Sequence, residues 1–146
     1  MDVRLNDAVV LDGFAGSGAM GIEALSRGAS FCSFVENNST VLKILQKNLE
    51  TCALSSKVFE AKRDFKALSR AYDIVYLDPP YGGMIDGKPA YIHVLEELTQ
   101  KTLIAPHAII IIETSAKEIV SLPAVFTCIQ EKTYGAAKVG FYQLAL

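Results

Sequence analysis

The stretch Val9-Val10-Leu11-Asp12-Gly13-Phe14-Ala15-Gly16-Ser17-Gly18-Ala19-Met20-Gly21 reads as a short apolar strand entering a helix through a glycine-rich turn. Gly16, Gly18 and Gly21 keep the Gly-x-Gly-x-x-Gly spacing of turns that let a ligand approach the backbone, because a turn without Cβ atoms leaves that approach open. The helix, Ala19 to Arg27, is predicted to stop at Gly28. Glu36 lies 20 residues beyond Gly16, at the end of a second apolar run, where a carboxylate can accept two ribose hydroxyls. The glycines and Glu36 leave NAD and FAD open as ligands. Asp12 shifts the balance: a negative charge at the mouth of the first strand repels a pyrophosphate and attracts an amino-acid ammonium. That favours S-adenosyl-L-methionine, which carries no phosphate.

Working outward, apolar runs alternate with helix-period segments, the pattern of a parallel sheet flanked by helices. Strands are expected at Val9 to Leu11, Phe31 to Glu36, Val58 to Ala61 and Ile74 to Leu77. Ser39 is placed to cap a helix running to about Thr51, with Val41, Leu42, Leu45 and Leu49 toward the sheet. A short helical stretch is expected near Phe65 to Arg70 and a longer helix from Tyr91 to about Leu103. Ala108 to Glu113 is apolar enough to suggest a central strand buried on both faces. Val125 to Tyr134 and Val139 to Leu144 are separated by Gly135-Ala136-Ala137-Lys138, too short for a crossover helix, so they should pair as an antiparallel hairpin. By fold analogy, such a strand at the end of the sheet favours a methyltransferase over a dinucleotide enzyme.

The fourth strand runs into Asp78-Pro79-Pro80-Tyr81, and neither proline can donate to a ladder, so this segment belongs on a loop. Its chemistry suits methyl transfer to a planar amine. The lone pair of an exocyclic amine is delocalised into the ring until acceptors hold both N–H bonds. Asp78 can accept one and the Pro79 carbonyl the other, on a backbone stiffened by Pro80, while Tyr81 stacks on the base for about 1–3 kcal/mol. Asp64 and Phe65 follow the third strand, where the first could accept an adenine amino group and the second cover a ring face; a helix N-cap explains Asp64 equally well. The expected cofactor-binding set is Asp12, Phe14, Ala15, Gly16, Ser17, Gly18, Glu36, Asn37, Asp64, Phe65 and Asp78. The expected catalytic set is Asp78, Pro79, Pro80 and Tyr81, with no metal. Gly82 to Pro89 holds three glycines and reads as a lid or a flexible loop. Asp73 is expected to end a loop, Tyr72 and Tyr76 to pack, and His93 and His107, in a helix and a turn, to serve no chemistry.

With 146 residues, 51% of them hydrophobic, the chain fits a single domain, residues 1–146, burying roughly 70% of its unfolded surface. The longest apolar run, Ala108 to Ile112, falls far short of the roughly 20 residues a bilayer span requires. No basic start followed by an apolar stretch opens the chain, so a soluble cytoplasmic protein is expected. Cys32, Cys52 and Cys128 are unpaired by spacing and read as buried free thiols, not as a disulfide or zinc set. The net charge of −2 argues against strong nucleic-acid binding by composition alone. A loose group of Lys57, Lys62, Arg63, Lys66 and Arg70 is a solvated face by default, and Lys88 and Lys138 are candidates for phosphate contacts.

The block from Asp12 to Gly28, followed by Asp78-Pro79-Pro80-Tyr81 and by the ending Lys132-Thr133-Tyr134-Gly135 with Val139-Gly140-Phe141-Tyr142, resembles the RsmD-type 16S ribosomal RNA guanine-N2 methyltransferases over essentially the whole chain. The resemblance implies a Rossmann-like class I methyltransferase fold, S-adenosyl-L-methionine as donor, and a guanine exocyclic amine of the small ribosomal subunit as acceptor. It also implies a monomer. The same four-residue segment could instead orient adenine N6 or a protein glutamine amide, and the glycine turn alone would serve an NAD or FAD oxidoreductase. Family members carry a further basic segment ahead of the first strand. This chain begins almost at that strand, so it is expected to keep the donor pocket and to bind RNA weakly.

Overall fold

Strand β1 (Val9–Gly13) leads into α1 (Ala19–Ser26), β2 (Phe31–Val35), α2 (Ser39–Thr51) and β3 (Phe59–Lys62). A 3-10 turn (Phe65–Ala67) precedes β4 (Tyr72–Leu77), two short strands β5 (Met84–Ile85) and β6 (Lys88–Pro89), α3 (Ala90–Gln100), β7 (Ile104–Ser115), β8 (Phe126–Tyr134) and β9 (Ala137–Leu144). This computed structural model describes residues 5–145. Seven strands form one sheet in the order β3-β2-β1-β4-β7-β9-β8. Five are parallel, and β9 runs antiparallel between β7 and β8, which is the expected terminal hairpin. Its turn places Gly135 at φ +60° between Tyr134 and Ala137, a glycine-first arrangement that suits a two-residue hairpin.

The chain steps outward from β1 to β3 and then returns to β4, so the strand order reverses between β1 and β4. Loops leaving the C-terminal ends of such neighbours part and open a crevice. Gly13 and Leu77 are register partners, which brings the loops starting at Phe14 and Asp78 to one place.

Both faces of the sheet are apolar. One is covered by α1 and α2, whose Ala24, Leu45 and Leu49 join Val10, Cys32, Phe34 and Ile74. On the other, Tyr91, Val94, Leu95 and Leu98 of α3 recur at helical spacing and meet Leu11, Val75, Leu77, Ile110 and Ile112. Each such buried side chain is worth about 1.5–3 kcal/mol.

Several local expectations are corrected. Asn38, not Ser39, caps α2: its Oδ1 accepts from the amides of Thr40 and Val41 at 3.0 and 3.1 Å, leaving Ser39 as the first helical residue. Asp73 lies inside β4, where its carboxylate accepts the Val9 amide at 2.9 Å. β7 is not buried on both faces: Ala108, Ile110, Ile112 and Thr114 are buried and the residues between them half-buried. The covering helices α1 and α2 lie over β1 and β2, on the far side of β4. His107 sits within β7 at φ +62°, where the register with β4 jumps, so its turn is an irregularity inside a strand. Gly82 to Pro89 folds back as a β5–β6 ribbon with Asp86 and Gly87 both at positive φ, the Asp-Gly signature of a tight hairpin. Only Cys32 is buried; Cys52 ends α2 and Cys128 lies on edge strand β8, both exposed. No helix among the described residues is long and apolar enough to cross a membrane.

Candidate active site

The crevice is a cleft of about 920 Å³. Phe14, just ahead of the glycine turn, forms its β1 side. Gly16 takes φ +57° with open space where a Cβ would stand, whereas Gly18, at φ +85°, would put a Cβ 2.3 Å from Leu45 Cδ1. Gly16 therefore serves the backbone path, and Gly18 serves packing as well. The Gly16 amide donates to Glu36 Oε1 at 2.9 Å, and Glu36 Oε2 accepts the Asn38 amide at 3.0 Å. Glu36 thus ties the turn to the end of β2, with lone pairs to spare for further donors. The Ala15 amide donates to the Val35 carbonyl, and the Ser17 carbonyl accepts from Asn48 Nδ2.

Among the cofactor residues expected from sequence, Phe14, Glu36, Asn37, Asp64, Phe65 and Asp78 line the cleft. Ala15, Gly16, Ser17 and Gly18 build the turn without lining it, and Asp12 stands behind it. Asp12 shares the sheet face of Val10, under the helices, and is 2% exposed. Its Oδ2 accepts the Gly21 amide at 3.0 Å, strapping β1 to α1. Burial, opposed by that bond and reinforced by the charges of Asp78 and Glu36, pushes its carboxyl up to about 7.

Phe14 and Phe65 meet with ring centroids 5.3 Å apart and planes tilted by 55°, forming an apolar wall. Asp64 Oδ1 accepts the Lys66 amide at 2.9 Å, the capping role, while its side of the 3-10 turn faces the cleft. Arg63 and Lys66 also line the cleft.

Asp78, Pro79, Pro80 and Tyr81 occupy the β4 side. Asp78 is half-buried, Pro79 buried, and Tyr81 is 56% exposed. The Pro80 carbonyl accepts the Gly83 amide at 2.8 Å, which locks the loop. No described residue donates to the Pro79 carbonyl. Burial, then the charge of Glu113 and a hydrogen bond with it, raise the Asp78 carboxyl to about 6.

Glu113, at the end of the apolar run in β7, lines the same cleft and accepts the Tyr76 hydroxyl at 2.7 Å. Sequence reading missed its role, and its only signal was a lone acid closing that run. Tyr76 is thus a hydrogen-bond donor and more than a packing residue; burial, the bond to Glu113 and nearby carboxylates keep its hydroxyl protonated. His93 also lines the cleft, its Nδ1 3.8 Å from Asp86 Oδ2. The two lysines suggested for phosphate are engaged elsewhere: Lys88 pairs with Glu96 at 2.7 Å and Lys138 with Glu131 at 3.3 Å.

Residues 1–143 match the model of a family described as conserved hypothetical protein 95. A Haemophilus influenzae relative, ribosomal RNA small subunit methyltransferase D, is 33% identical over 146 residues, covering 95% of this chain and 73% of its own length. The chain belongs to the RsmD-type methyltransferase family. A solved Haemophilus influenzae structure, described as a candidate methylase, superposes on this RsmD-type chain with a TM-score of 0.85 at 32% identity, covering 98% of this chain and 90% of that one. A candidate methyltransferase complexed with S-adenosylhomocysteine superposes with a TM-score of 0.73 at 16% identity, covering 96% and 46%. The latter likeness concerns the fold, which is the expected Rossmann-like methyltransferase architecture with an antiparallel end.

Proposed function

We propose that this RsmD-type chain methylates the exocyclic N2 amine of a guanine in 16S ribosomal RNA of the small ribosomal subunit, with S-adenosyl-L-methionine as donor. One observation carries the reading: a single cleft joins Glu36, which anchors the glycine turn behind it, to an Asp78 carboxylate and an undonated Pro79 carbonyl. The Haemophilus influenzae relative's name supports ribosomal RNA as substrate.

The donor set suits the cofactor. The volume lies in the roughly 300–1,000 Å³ range of small-molecule sites. Glu36 and Asp64 offer carboxylates to hydroxyl and amino donors, and Phe14 and Phe65 offer apolar faces. When bound, the sulfonium cofactor supplies an electrophilic methyl group. The chain's own residues do the rest by orientation. Asp78 and the Pro79 carbonyl accept the two N–H bonds of the amine, freeing its lone pair from the ring, and Asp78 opposes the positive charge that grows on nitrogen. Tyr81, exposed at the rim, is free to stack on the base. Arg63 and Lys66 supply local positive charge for phosphate within a chain of net charge −2.

The test is transfer of labelled methyl groups to unmodified small subunits, followed by nucleoside analysis. Label in N2-methylguanosine is expected, and label in N6-methyladenosine or in protein glutamine would overturn the acceptor. Asp78→Ala is expected to lower transfer about 10²–10³-fold; an unchanged rate would overturn its role. Protection against heat by reduced dinucleotide and not by S-adenosylhomocysteine would overturn the cofactor.

A further inference from the structure

We propose that Glu113 is a positioning residue for this reaction: tethered by the Tyr76 hydroxyl, it holds the Asp78 carboxyl by a hydrogen bond and keeps there the proton that the methylated amine gives up. The inference rests on the amine-methylation reading above and deepens it.

Adjacent parallel strands create the contact. Leu77 and Ile112 are register partners of β4 and β7, so the next residue on each, Asp78 and Glu113, emerges side by side into the cleft. Tyr76, two residues before Asp78, donates to Glu113 Oε2 at 2.7 Å, which fixes the carboxylate. Asp78 and Glu113 stand close enough that the Glu113 carboxylate helps raise the Asp78 carboxyl. Two ionised carboxylates have no donor between them, so a hydrogen bond forms between these neighbours when Asp78 takes up a proton.

The surroundings favour that proton. Facing Glu113 are Tyr76 and Asp78 from β4 and its loop, and the Asp78 charge in turn helps raise the buried Asp12 carboxyl of β1. The β9 register partner is the apolar Val139. On the other side, Tyr91 and Glu118 share with Glu113 a small cavity behind the catalytic loop. Lys138, the nearby cation of β9, is bound to Glu131 and to the Glu118 carbonyl. No cation among these groups competes for Glu113. That small cavity, of about 10 Å³, is the size of roughly one water and offers a polar way out.

In the transfer the nitrogen lone pair forms the N–C bond, and the C–S pair stays on sulfur as the sulfonium becomes a thioether. The nitrogen, now positive, releases a proton to Asp78 Oδ, whose new O–H donates to the Glu113 carboxylate. Water takes the proton afterwards, which restores both carboxylates. Without the Glu113 charge, Asp78 is a weaker base and the step slows.

The experiment is a carboxyl carbon-13 NMR titration of the chain itself, with the Asp78 signal assigned by its loss in Asp78→Asn. The wild-type midpoint is expected at about 6, and in Glu113→Gln, which keeps an acceptor for Tyr76, it should fall, with burial still holding it above the ordinary range near about 4. In turnover, Glu113→Gln should lower kcat about tenfold and move its acid limb to lower pH. KM for the small subunit and S-adenosylhomocysteine affinity should stay within about twofold of wild type. Identical midpoints in variant and wild type would overturn the contact. A shifted midpoint with unchanged kcat and acid limb would overturn the role in transfer and leave the proposed function standing. Wild-type protein that methylates no small subunit would strike the acceptor assignment, and the titration, which needs no acceptor, would still decide the contact. If Glu113→Gln fails to bind S-adenosylhomocysteine, Tyr76→Phe, which keeps both carboxylates and cuts only the tether, carries the same comparison, with a smaller fall in midpoint expected and none refuting it.

Discussion

Asp12→Asn should flatten the pH dependence of stability. The Asp12 carboxyl is 2% exposed and is pushed from its ordinary 3.8 to about 7, chiefly by burial. Below 3.8 both the folded and unfolded chains hold the proton and the group is neutral to stability. Between 3.8 and about 7 the unfolded chain releases it while the folded chain keeps it, so the unfolded state binds fewer protons and stability falls as pH rises. Above about 7 the whole penalty is present. At about 1.4 kcal/mol per pH unit this amounts to at most about 4 kcal/mol. Asparagine keeps an oxygen for the Gly21 amide and cannot ionise, but its buried amide hydrogens cost about 1–3 kcal/mol at every pH. The absolute stability of the variant therefore decides nothing, and its pH slope decides everything. Urea unfolding of both proteins at about pH 4 and about pH 8 is the assay, with the variant expected to gain up to about 4 kcal/mol on wild type between those points. Parallel pH dependences would show that Asp12 is ionised in the fold at little cost and would refute the reasoning.

Gly18→Ala should destabilise the fold by about 2–4 kcal/mol, since it adds left-handed backbone strain to overpacking against Leu45 Cδ1 at 2.3 Å; chemical denaturation checks it, and a loss under about 0.5 kcal/mol would contradict the geometry. Glu36→Gln should weaken S-adenosylhomocysteine binding about 10–100-fold by calorimetry, because the ribose hydroxyls lose a charged acceptor worth about 1.5–3 kcal/mol; unchanged affinity would remove Glu36 from the ribose contact. Asn38→Ala should cost about 1 kcal/mol of stability through the lost cap of α2, whereas Ser39→Ala should cost almost nothing; equal costs would argue against the assigned cap.

Local signals carried most of the architecture. Apolar runs separated by glycines and caps place the strands and helices within a few residues, and the short Gly135 connection identifies the antiparallel pair, because turn chemistry and side-chain periodicity act over a few neighbouring positions. The Asp86-Gly87 turn that closes the β5–β6 ribbon is an equally local signal. Phe14, Glu36, Asn37, Asp64, Phe65 and the Asp78–Tyr81 segment were legible as cleft positions because each lies at or just after the end of a strand, where the crevice opens.

The backbone path through Gly16, the alternation of parallel strands and the loop placement of Asp78-Pro79-Pro80-Tyr81 were determined by the sequence alone, since each depends on residues within a few positions of one another. Only the tertiary structure decided that Asp12 faces the helices and not the cleft, because one residue of strand phase exchanges the two faces of a sheet. It alone brought Glu113 to Asp78 and Tyr76, since strand pairing between β4 and β7 joins residues more than 30 positions apart. Contacts of that kind arise from register, which no local pattern encodes.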